Sequence, residues 1–229
     1  MLKKLKSRTK IALIVSLIIT FGLSFRIGLD KFFIEETNQA ITPPIDAKDE
    51  ANRLIQTASQ NFFYHEFDQA VENYKKAISL FEERKDFKRA ARTYESIGDI
   101  HKFSRNSKEA KNAYLLAVEY HQKLQDKIGG GRAMKKIGEF YMEHSDFDKA
   151  GEWFGKAVMK VRDAKPHVVK AKIYEAQGHY FLKTEQVSKA LESFQQAKVT
   201  FDKIGYPLGY DNISPMIQRL KRQQKNSAT

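Results

Sequence analysis

Small and aromatic residues recur along the chain at a fixed spacing. From about residue 48 onward, an alanine is followed four positions later by an aromatic residue and three positions after that by a second alanine. The copies of this triplet begin 40 residues apart, and they are Ala70, Tyr74 and Ala77, then Ala110, Tyr114 and Ala117, then Ala150, Phe154 and Ala157, and finally Ala190, Phe194 and Ala197. This spacing places each triplet on one face of a helix, where we expect it to pack the repeats together. Repetition at such a period indicates a solenoid of stacked helical units.

A second helical pattern precedes each triplet. Twelve residues before the first alanine stands Gly98, Gly138 or Gly178, with Ala58 in the first copy. Larger residues surround the small one at helical spacing, as Tyr94, Ile97 and His101 do around Gly98. Glycine costs about 1 kcal/mol of helix propensity relative to alanine. We therefore expect the paired helix to approach closely at these positions.

The repeat divides the chain into predicted segments. Blocks 48–87, 88–127, 128–167 and 168–207 align without a gap, and each holds two helices joined by a polar turn. Gly129–Gly131 is interpreted as a flexible joint between the second and third blocks. After Pro207 the pattern changes, and Ser214–Pro215 has the composition of a helix start. Residues 208–229 are predicted to form a capping helix with a basic tail.

The N-terminal segment has the composition of a membrane anchor. Residues 1–10 carry five cations and no acid, and an uncharged, mostly apolar run follows. A span over residues 11–29, within a segment 1–29, approaches the roughly 20 residues of a membrane helix. The missing Ala-x-Ala site favours an uncleaved anchor, and a cleaved signal peptide stays open as the alternative. Residues 30–47, which include a Pro-Pro pair, are predicted to be a linker.

Charge predicts the topology and argues against nucleic acid. Because cations stay preferentially on the cytoplasmic side, the N-terminus is predicted to be cytoplasmic and the repeats extracytoplasmic, which means periplasmic in a Gram-negative cell. Of the net charge of +12, residues 1–10 carry +5 and the residues after Asp211 carry +4. The remaining +3 is too small for a phosphate-binding face, so no nucleic-acid partner is expected.

Candidate chemistry is sparse. The chain has no cysteine, which excludes disulfides and thiol catalysis. His65–Glu66 begins like a zinc-protease motif, but no second histidine follows at the required spacing. The other histidines are scattered over separate helices and turns. We therefore expect no metal, no cofactor and no catalytic site, and we predict that the protein is not an enzyme.

These positions resemble the motif of the tetratricopeptide-repeat (TPR) family. That motif has a large residue and a glycine in helix A, followed by the alanine–aromatic–alanine triplet in helix B, and the resemblance spans 48–207. The blocks exceed the family's commonest length, and in this they are similar to the long-helix subclass of SNAP-type adaptors, cell-polarity scaffolds and some bacterial peptide receptors. The resemblance implies an all-α, right-handed solenoid of antiparallel helix pairs whose concave groove holds a peptide or partner segment.

The face of the A helices opposite the packing stripe supplies candidate groove residues. The candidates are Arg92, Glu95, Asp99, Lys102, Arg132, Lys135, Lys136, Glu139, Lys172, Glu175 and His179. Arg92, Arg132 and Lys172 occupy one position in successive blocks and would form a basic row. Such a row could bind a carboxylate or an acidic segment through charge-assisted hydrogen bonds. The alternative is a solvated face whose charges pair with one another.

The functional expectation follows from the repeats and the apolar N-terminus. We expect a non-catalytic, membrane-anchored scaffold that binds a peptide or partner protein carrying an acidic segment. A chaperone-like binder released to the periplasm or secreted after signal cleavage, and a receptor subunit that senses a short peptide, are the alternatives.

Overall fold

The computed structural model describes residues 50–227 of the 229-residue chain, and this part is built from helices joined by short turns. No strand occurs within that range. The helices are α1 (Glu50–Phe63), α2 (Phe67–Glu83), α3 (Phe87–Phe103), α4 (Ser107–Lys123), α5 (Lys127–Glu143), α6 (Phe147–Val161), α7 (Val168–Lys183), α8 (Val187–Lys203) and α9 (Pro207–Ser227).

The helices form four consecutive pairs followed by α9. The A helices are α1, α3, α5 and α7, and the B helices are α2, α4, α6 and α8. Each A helix packs against its own B helix and, from α3 onward, against the B helix of the preceding pair. Neighbouring A helices also touch, α3 with α5 and α5 with α7. The A helices therefore line one continuous face of the solenoid.

The alanine–aromatic–alanine triplets lie in the core between the helices. All the triplet alanines are fully buried, and the four aromatic rings are at most 7% exposed. The buried alanines are Ala70, Ala77, Ala110, Ala117, Ala150, Ala157, Ala190 and Ala197, and the buried rings are Tyr74, Tyr114, Phe154 and Phe194. The triplets therefore occupy the packing positions that their spacing predicts.

The three A-helix glycines meet the aromatic rings of their own pairs. A β-carbon added at Gly98 would lie 2.4 Å from the Tyr114 ring, and one at Gly178 would lie 2.7 Å from the Phe194 ring. At Gly138 the added carbon would lie 2.9 Å from the ring of Phe154. The glycines thus allow the paired helices to approach so closely that the aromatic ring of the B helix packs against the backbone of the A helix.

Most turns between helices share one geometry. In seven of the eight turns within residues 50–227, a residue with positive φ follows the helix end. After α1, the amide of His65 donates to the Phe62 carbonyl and the amide of Glu66 donates to the Asn61 carbonyl. This is the Schellman arrangement, which satisfies the free carbonyls of a helix end. The recurring turn reverses the chain and sets the helices side by side.

The connection between α6 and α7 departs from that geometry. No residue from Arg162 to His167 has a positive φ, and Pro166 lies in this loop. The Lys170 side chain ties the loop down, because its Nζ donates to the carbonyls of Arg162, at 2.6 Å, and Ala164, at 2.9 Å. The third and fourth pairs are therefore joined by a longer connection than the others.

The interpretation of Gly129–Gly131 as a flexible joint is wrong. All three glycines are buried inside α5. A β-carbon at Gly129 would lie 2.2 Å from Cε1 of His121, and one at Gly131 would lie 2.4 Å from Cγ1 of Val161. The run of glycines is a packing surface, because α4 and α6 both approach the start of α5.

The start of the terminal helix also differs from the prediction. Helix α9 begins at Pro207, and Pro215 lies inside it rather than in its first turn. The hydroxyl of Ser214 donates to the Tyr210 carbonyl at 2.8 Å and caps nothing. The buried stripe runs through Ile213, Ile217 and Leu220, which pack on α8. The helix does cover the end of the last pair, and it begins earlier because Gly209 is also buried, against the Phe201 ring of α8.

The localisation prediction is corrected. Within residues 50–227 there is no helix whose length and apolar character suffice to span a membrane, which contradicts a single-pass membrane protein with extracytoplasmic repeats. The described helices are amphipathic and carry charged residues on their exposed faces. The predicted anchor at 11–29 and linker at 30–47 lie outside the described residues. The hand of the superhelix and the predicted segment boundaries stay predictions.

A pair of glycine substitutions tests the packing of α5. Gly131→Ala places a methyl group against Val161 and Ile173, which are fully buried, and should lower the free energy of unfolding by about 1–3 kcal/mol through overpacking. Gly155→Ala on α6 meets nothing within 4 Å and should raise it by about 0.5–1 kcal/mol through helix propensity. Urea unfolding measures both values. A Gly131→Ala variant as stable as wild type would contradict this account of the glycines.

Candidate functional site

One cavity on the A-helix face lies between α5 and α7. Its volume is about 440 Å³. The lining consists mainly of charged residues from the two helices, with apolar residues from the start of α7. The members are Arg132, Lys135, Lys136, Glu139, Val168, Val169, Lys172, Glu175, Ala176 and His179. We call it the α5–α7 cavity.

A second cavity lies between α1 and α3, two helices earlier on the same face. Its volume is about 310 Å³. Its lining is mostly uncharged and contains several hydroxyl groups, with arginines at one side. The members are Asn52, Ile55, Ser59, Tyr74, Phe81, Arg89, Arg92, Thr93 and Ser96. We call it the α1–α3 cavity.

Ion pairs cross the middle interface, where α3 meets α5 between the two cavities. Arg132 donates to both oxygens of Glu95, from Nε at 2.7 Å and from Nη2 at 2.9 Å. Lys136 Nζ lies 2.7 Å from both oxygens of Asp99. Such bidentate and charge-assisted contacts are stronger than neutral hydrogen bonds. The middle interface is therefore occupied by the chain's own charges.

Glu95 is the most deeply placed of these charged groups. It is only 5% exposed, and His121, which is fully buried, donates from Nε2 to Glu95 Oε1 at 3.0 Å. Burial by itself would raise the pKa of the Glu95 carboxyl. The hydrogen bonds from His121 and Arg132, together with the Arg132 charge, outweigh burial and hold that pKa below its ordinary value. Glu95 is thus a paired carboxylate rather than an exposed groove residue.

The start of α5 completes this network. The side chain of Asp126 caps the helix by accepting from the Gly129 amide at 2.9 Å. Its other oxygen lies 3.3 Å from Nδ1 of His121. The close approach of the His121 ring to Gly129 explains why this position has no side chain. The glycine, the cap and the buried histidine together position Arg132 beneath Glu95.

Charges in the α5–α7 cavity pair along their own helices instead. Lys135 Nζ lies 2.6 Å from Glu139 Oε1 on α5, and Lys172 Nζ lies 2.8 Å from Glu175 Oε2 on α7. His179 packs its ring edge against Phe194 with centroids 5.1 Å apart and remains exposed. No ion pair between α5 and α7 is present among the described residues. The two helices touch through apolar residues such as Ile173, and their charged residues border the cavity without bridging it.

The candidate groove residues separate into three groups. Seven line the α5–α7 cavity, namely Arg132, Lys135, Lys136, Glu139, Lys172, Glu175 and His179. Arg92 is exposed on the α1–α3 cavity. Glu95, Asp99 and Lys102 line neither cavity; all three belong to the middle interface, where Lys102 Nζ lies 2.6 Å from Glu143 Oε1 of α5. The predicted basic row is interrupted, because Arg132 is bound by Glu95.

His121, Asp126 and Val168 were not among the sequence candidates. Both polar residues lie at the junction of α4 and α5, where His121 contacts Glu95 from 26 residues away and Asp126 lies beside His121. One feature of the sequence, the spacing of opposite charges, could have predicted part of this network. Glu95 and Arg132 are 37 residues apart, as are Asp99 and Lys136, and both pairs combine opposite charges. Matching charges at this spacing would have predicted contacts between successive A helices.

An exposed aromatic cluster lies where α1 and α3 end. The rings of Phe62 and Phe103 meet edge-on with centroids 5.6 Å apart, and His65 stacks on Phe103. Phe63 is 76% exposed and Phe103 is 57% exposed. The cluster adds apolar surface beyond the polar α1–α3 cavity.

Within residues 50–227 no group of three or more His, Asp or Glu side chains could hold a metal ion.

The fold and the open A-helix face define a helical-repeat protein of the solenoid class. The sequence matches the family model described as soluble NSF attachment protein, SNAP, over residues 31–203. The chain belongs to this family. The predicted all-helical, TPR-like repeat fold is confirmed at the level of the fold class.

A solved structure supports the same fold. The crystal structure of the apo form of RapI is similar to the chain with a TM-score of 0.63 and 14% sequence identity. The match covers 78% of this chain and 65% of the RapI chain. At this identity the likeness establishes the fold alone. No curated protein matches the sequence.

The pH dependence of stability tests the Glu95 network. Glu95→Gln removes the carboxylate and leaves Arg132 without its partner, so the free energy of unfolding at pH 7 should fall by about 3 kcal/mol. Because the Glu95 pKa is lowered in the folded state, the wild-type advantage is complete above the unfolded carboxyl pKa of about 4.3. It should shrink as the pH falls further, through the folded pKa.

Urea unfolding at pH 7 and below pH 4 makes the comparison. The matched control is Glu119→Gln, whose carboxylate is exposed and pairs with Lys123 along α4. This control should change the free energy by less than about 0.5 kcal/mol at either pH. A Glu95→Gln deficit that is equally large at both pH values, or no larger than the control's, would contradict the assigned role.

Proposed function

We propose that this protein is a non-catalytic adaptor that binds a peptide or a segment of a partner protein along the face of its A helices. The observation that carries this proposal is the pair of open cavities at equivalent repeat positions on one face. Both are bordered by adjacent A helices, and both expose cationic side chains, Arg92 in one and Lys172 in the other. A partner segment lying along the face would reach both.

The family supports a binding role. Its description names an attachment protein for NSF, and we propose that this chain likewise attaches one protein to another. Attachment requires a surface and no reacting groups, which agrees with charged side chains that pair with one another. The groove would be the concave face of a right-handed, TPR-like superhelix. The partner segment is proposed to be acidic, because Lys135 and Lys172 line the α5–α7 cavity and each, among the described residues, is paired only with a glutamate of its own helix.

Site-specific photo-crosslinking tests the proposal. A photoreactive amino acid replaces Ser59 in the α1–α3 cavity or His179 in the α5–α7 cavity, both of which are exposed. Matched controls carry it at Glu119 on α4 and Met159 on α6, which are exposed B-helix positions that line neither cavity. After irradiation in the native cells, mass spectrometry should identify one shared partner at both groove positions. Excess unlabelled protein should reduce these adducts.

The controls decide the outcome. Adducts confined to the B-helix positions, or the same adducts at all four positions, would contradict binding along the A-helix face. The partner peptides attached at Ser59 and His179 should also come from neighbouring parts of one sequence. Unrelated peptides at the two positions would contradict a single segment that spans both cavities.

A further inference from the structure

The repeat register allows the successive A-helix interfaces to be compared position by position. At the middle interface, Glu95 of α3 faces Arg132 of α5, and one turn further along Asp99 faces Lys136. In both cases the partner lies 37 residues later. A residue 40 positions on occupies the equivalent place in the next block. The pair equivalent to Glu95 and Arg132 is therefore Lys135 and Lys172.

At the α5–α7 interface, two cations occupy the positions that hold an ion pair at the middle interface. Where a carboxylate meets a guanidinium at the middle interface, Lys135 and Lys172 both carry positive charge in the α5–α7 cavity. The next equivalent pair is Glu139 and Ala176, so the lysine that binds Asp99 is also replaced. Beneath them, the position of His121 is taken by Val161, which is fully buried. The α5–α7 interface thus lacks the buried carboxylate network of its neighbour.

The two lysines form ion pairs along their own helices and, within residues 50–227, none across the α5–α7 interface. Lys135 binds Glu139 and Lys172 binds Glu175, in each case along one helix. Such pairs at the surface of a helix contribute only about 0.3–0.5 kcal/mol. A lysine ammonium has three donors, so each can retain its glutamate and bind a second acceptor. The cavity of about 440 Å³ lies where that acceptor would enter.

We infer that the α5–α7 cavity binds a carboxylate supplied by the partner, between Lys135 and Lys172, in the place that the Glu95 carboxylate occupies one repeat earlier. This inference rests on the proposed function and locates its acidic recognition. The carboxylate can belong to an aspartate or glutamate side chain or to a C-terminus. The α1–α3 cavity is a poorer site for it, because Arg92 faces Ile55 there and a single cation takes the equivalent position.

Arg132 and Lys136 also line the cavity, but they already have carboxylate partners across the middle interface. They contribute a positive surface without being free to turn toward a ligand. One turn further along, Ala176 takes the position of a lysine, so no cation is available there for a second acid beside Glu139. The geometry therefore points to one carboxylate near the Lys135–Lys172 pair rather than a long run of acidic residues.

A charge reversal tests the inference directly. Lys135→Glu installs on α5 the carboxylate that Glu95 provides on α3, within reach of Lys172. The variant should bind acidic peptides at least about tenfold more weakly than wild type, because its own carboxylate competes for Lys172. Lys172→Gln should weaken the same binding. Lys123→Glu, a change of equal charge at a side chain 71% exposed on α4, breaks an equivalent pair with Glu119 and should leave the binding unchanged.

The probes are three pools of dodecapeptides labelled with an uncharged BODIPY dye and measured by fluorescence anisotropy. The first has internal glutamates and an amidated C-terminus, the second has glutamines with a free C-terminal carboxylate, and the third has glutamines and an amide. Tighter binding of the first or second pool than of the third, lost in Lys135→Glu, supports the inference and identifies the source of the carboxylate.

Equal binding of the three pools, or equal binding by wild type and Lys135→Glu, would overturn the inference and leave the proposed adaptor function standing. Absence of binding by any pool would also overturn it. The crosslinking experiment then decides the adaptor function separately, because it requires no acidic ligand. Should Lys135→Glu fail to fold, Lys172→Gln gives the same comparison of pools.

Discussion

Burial of the Glu95 carboxylate between two repeats organises the face on which this protein is proposed to bind. A charge removed from water is tolerated only when it is paired and hydrogen-bonded, and Arg132 and His121 meet that requirement. Their positions depend in turn on Gly129, which leaves room for the histidine ring, and on the Asp126 cap. The middle interface is thereby occupied, and the α1–α3 and α5–α7 cavities lie on either side of it.

The repeating residues pack the helices together, and the non-repeating residues determine the chemistry of the A-helix face. Alanines, glycines and aromatic rings at the 40-residue period set the distance between paired helices, and every block uses them in nearly the same way. The A-helix positions that face the next A helix vary from block to block. They carry an isoleucine with an arginine, then a glutamate with an arginine, then two lysines. The same scaffold therefore presents an open polar cavity, an internal ion pair and a cationic cavity in turn.

The helix pairs could be predicted from sequence because their pattern is local and periodic. The burial of Glu95 could not, since its partners lie 26 and 37 residues away and a charged residue on a helix face normally indicates solvent. Gly129–Gly131 was misinterpreted for a similar reason: flexibility is the usual meaning of a glycine run, and the side chains that pack on it come from other helices. Helix α9 begins ahead of the Ser-Pro signal because its buried stripe starts at Gly209, which packs against the Phe201 ring.

The most direct measurement compares two double-mutant cycles in the free energy of unfolding, one for Glu95 with Arg132 and one for Lys135 with Lys172. The account predicts a favourable coupling of about 2 kcal/mol or more across the middle interface, because each single substitution leaves a buried charge unpaired. The lysine pair should show a coupling near zero or of opposite sign. Equal couplings for the two pairs would contradict this account, in which the chain's own charges fill the middle interface and the α5–α7 interface binds a carboxylate from a partner.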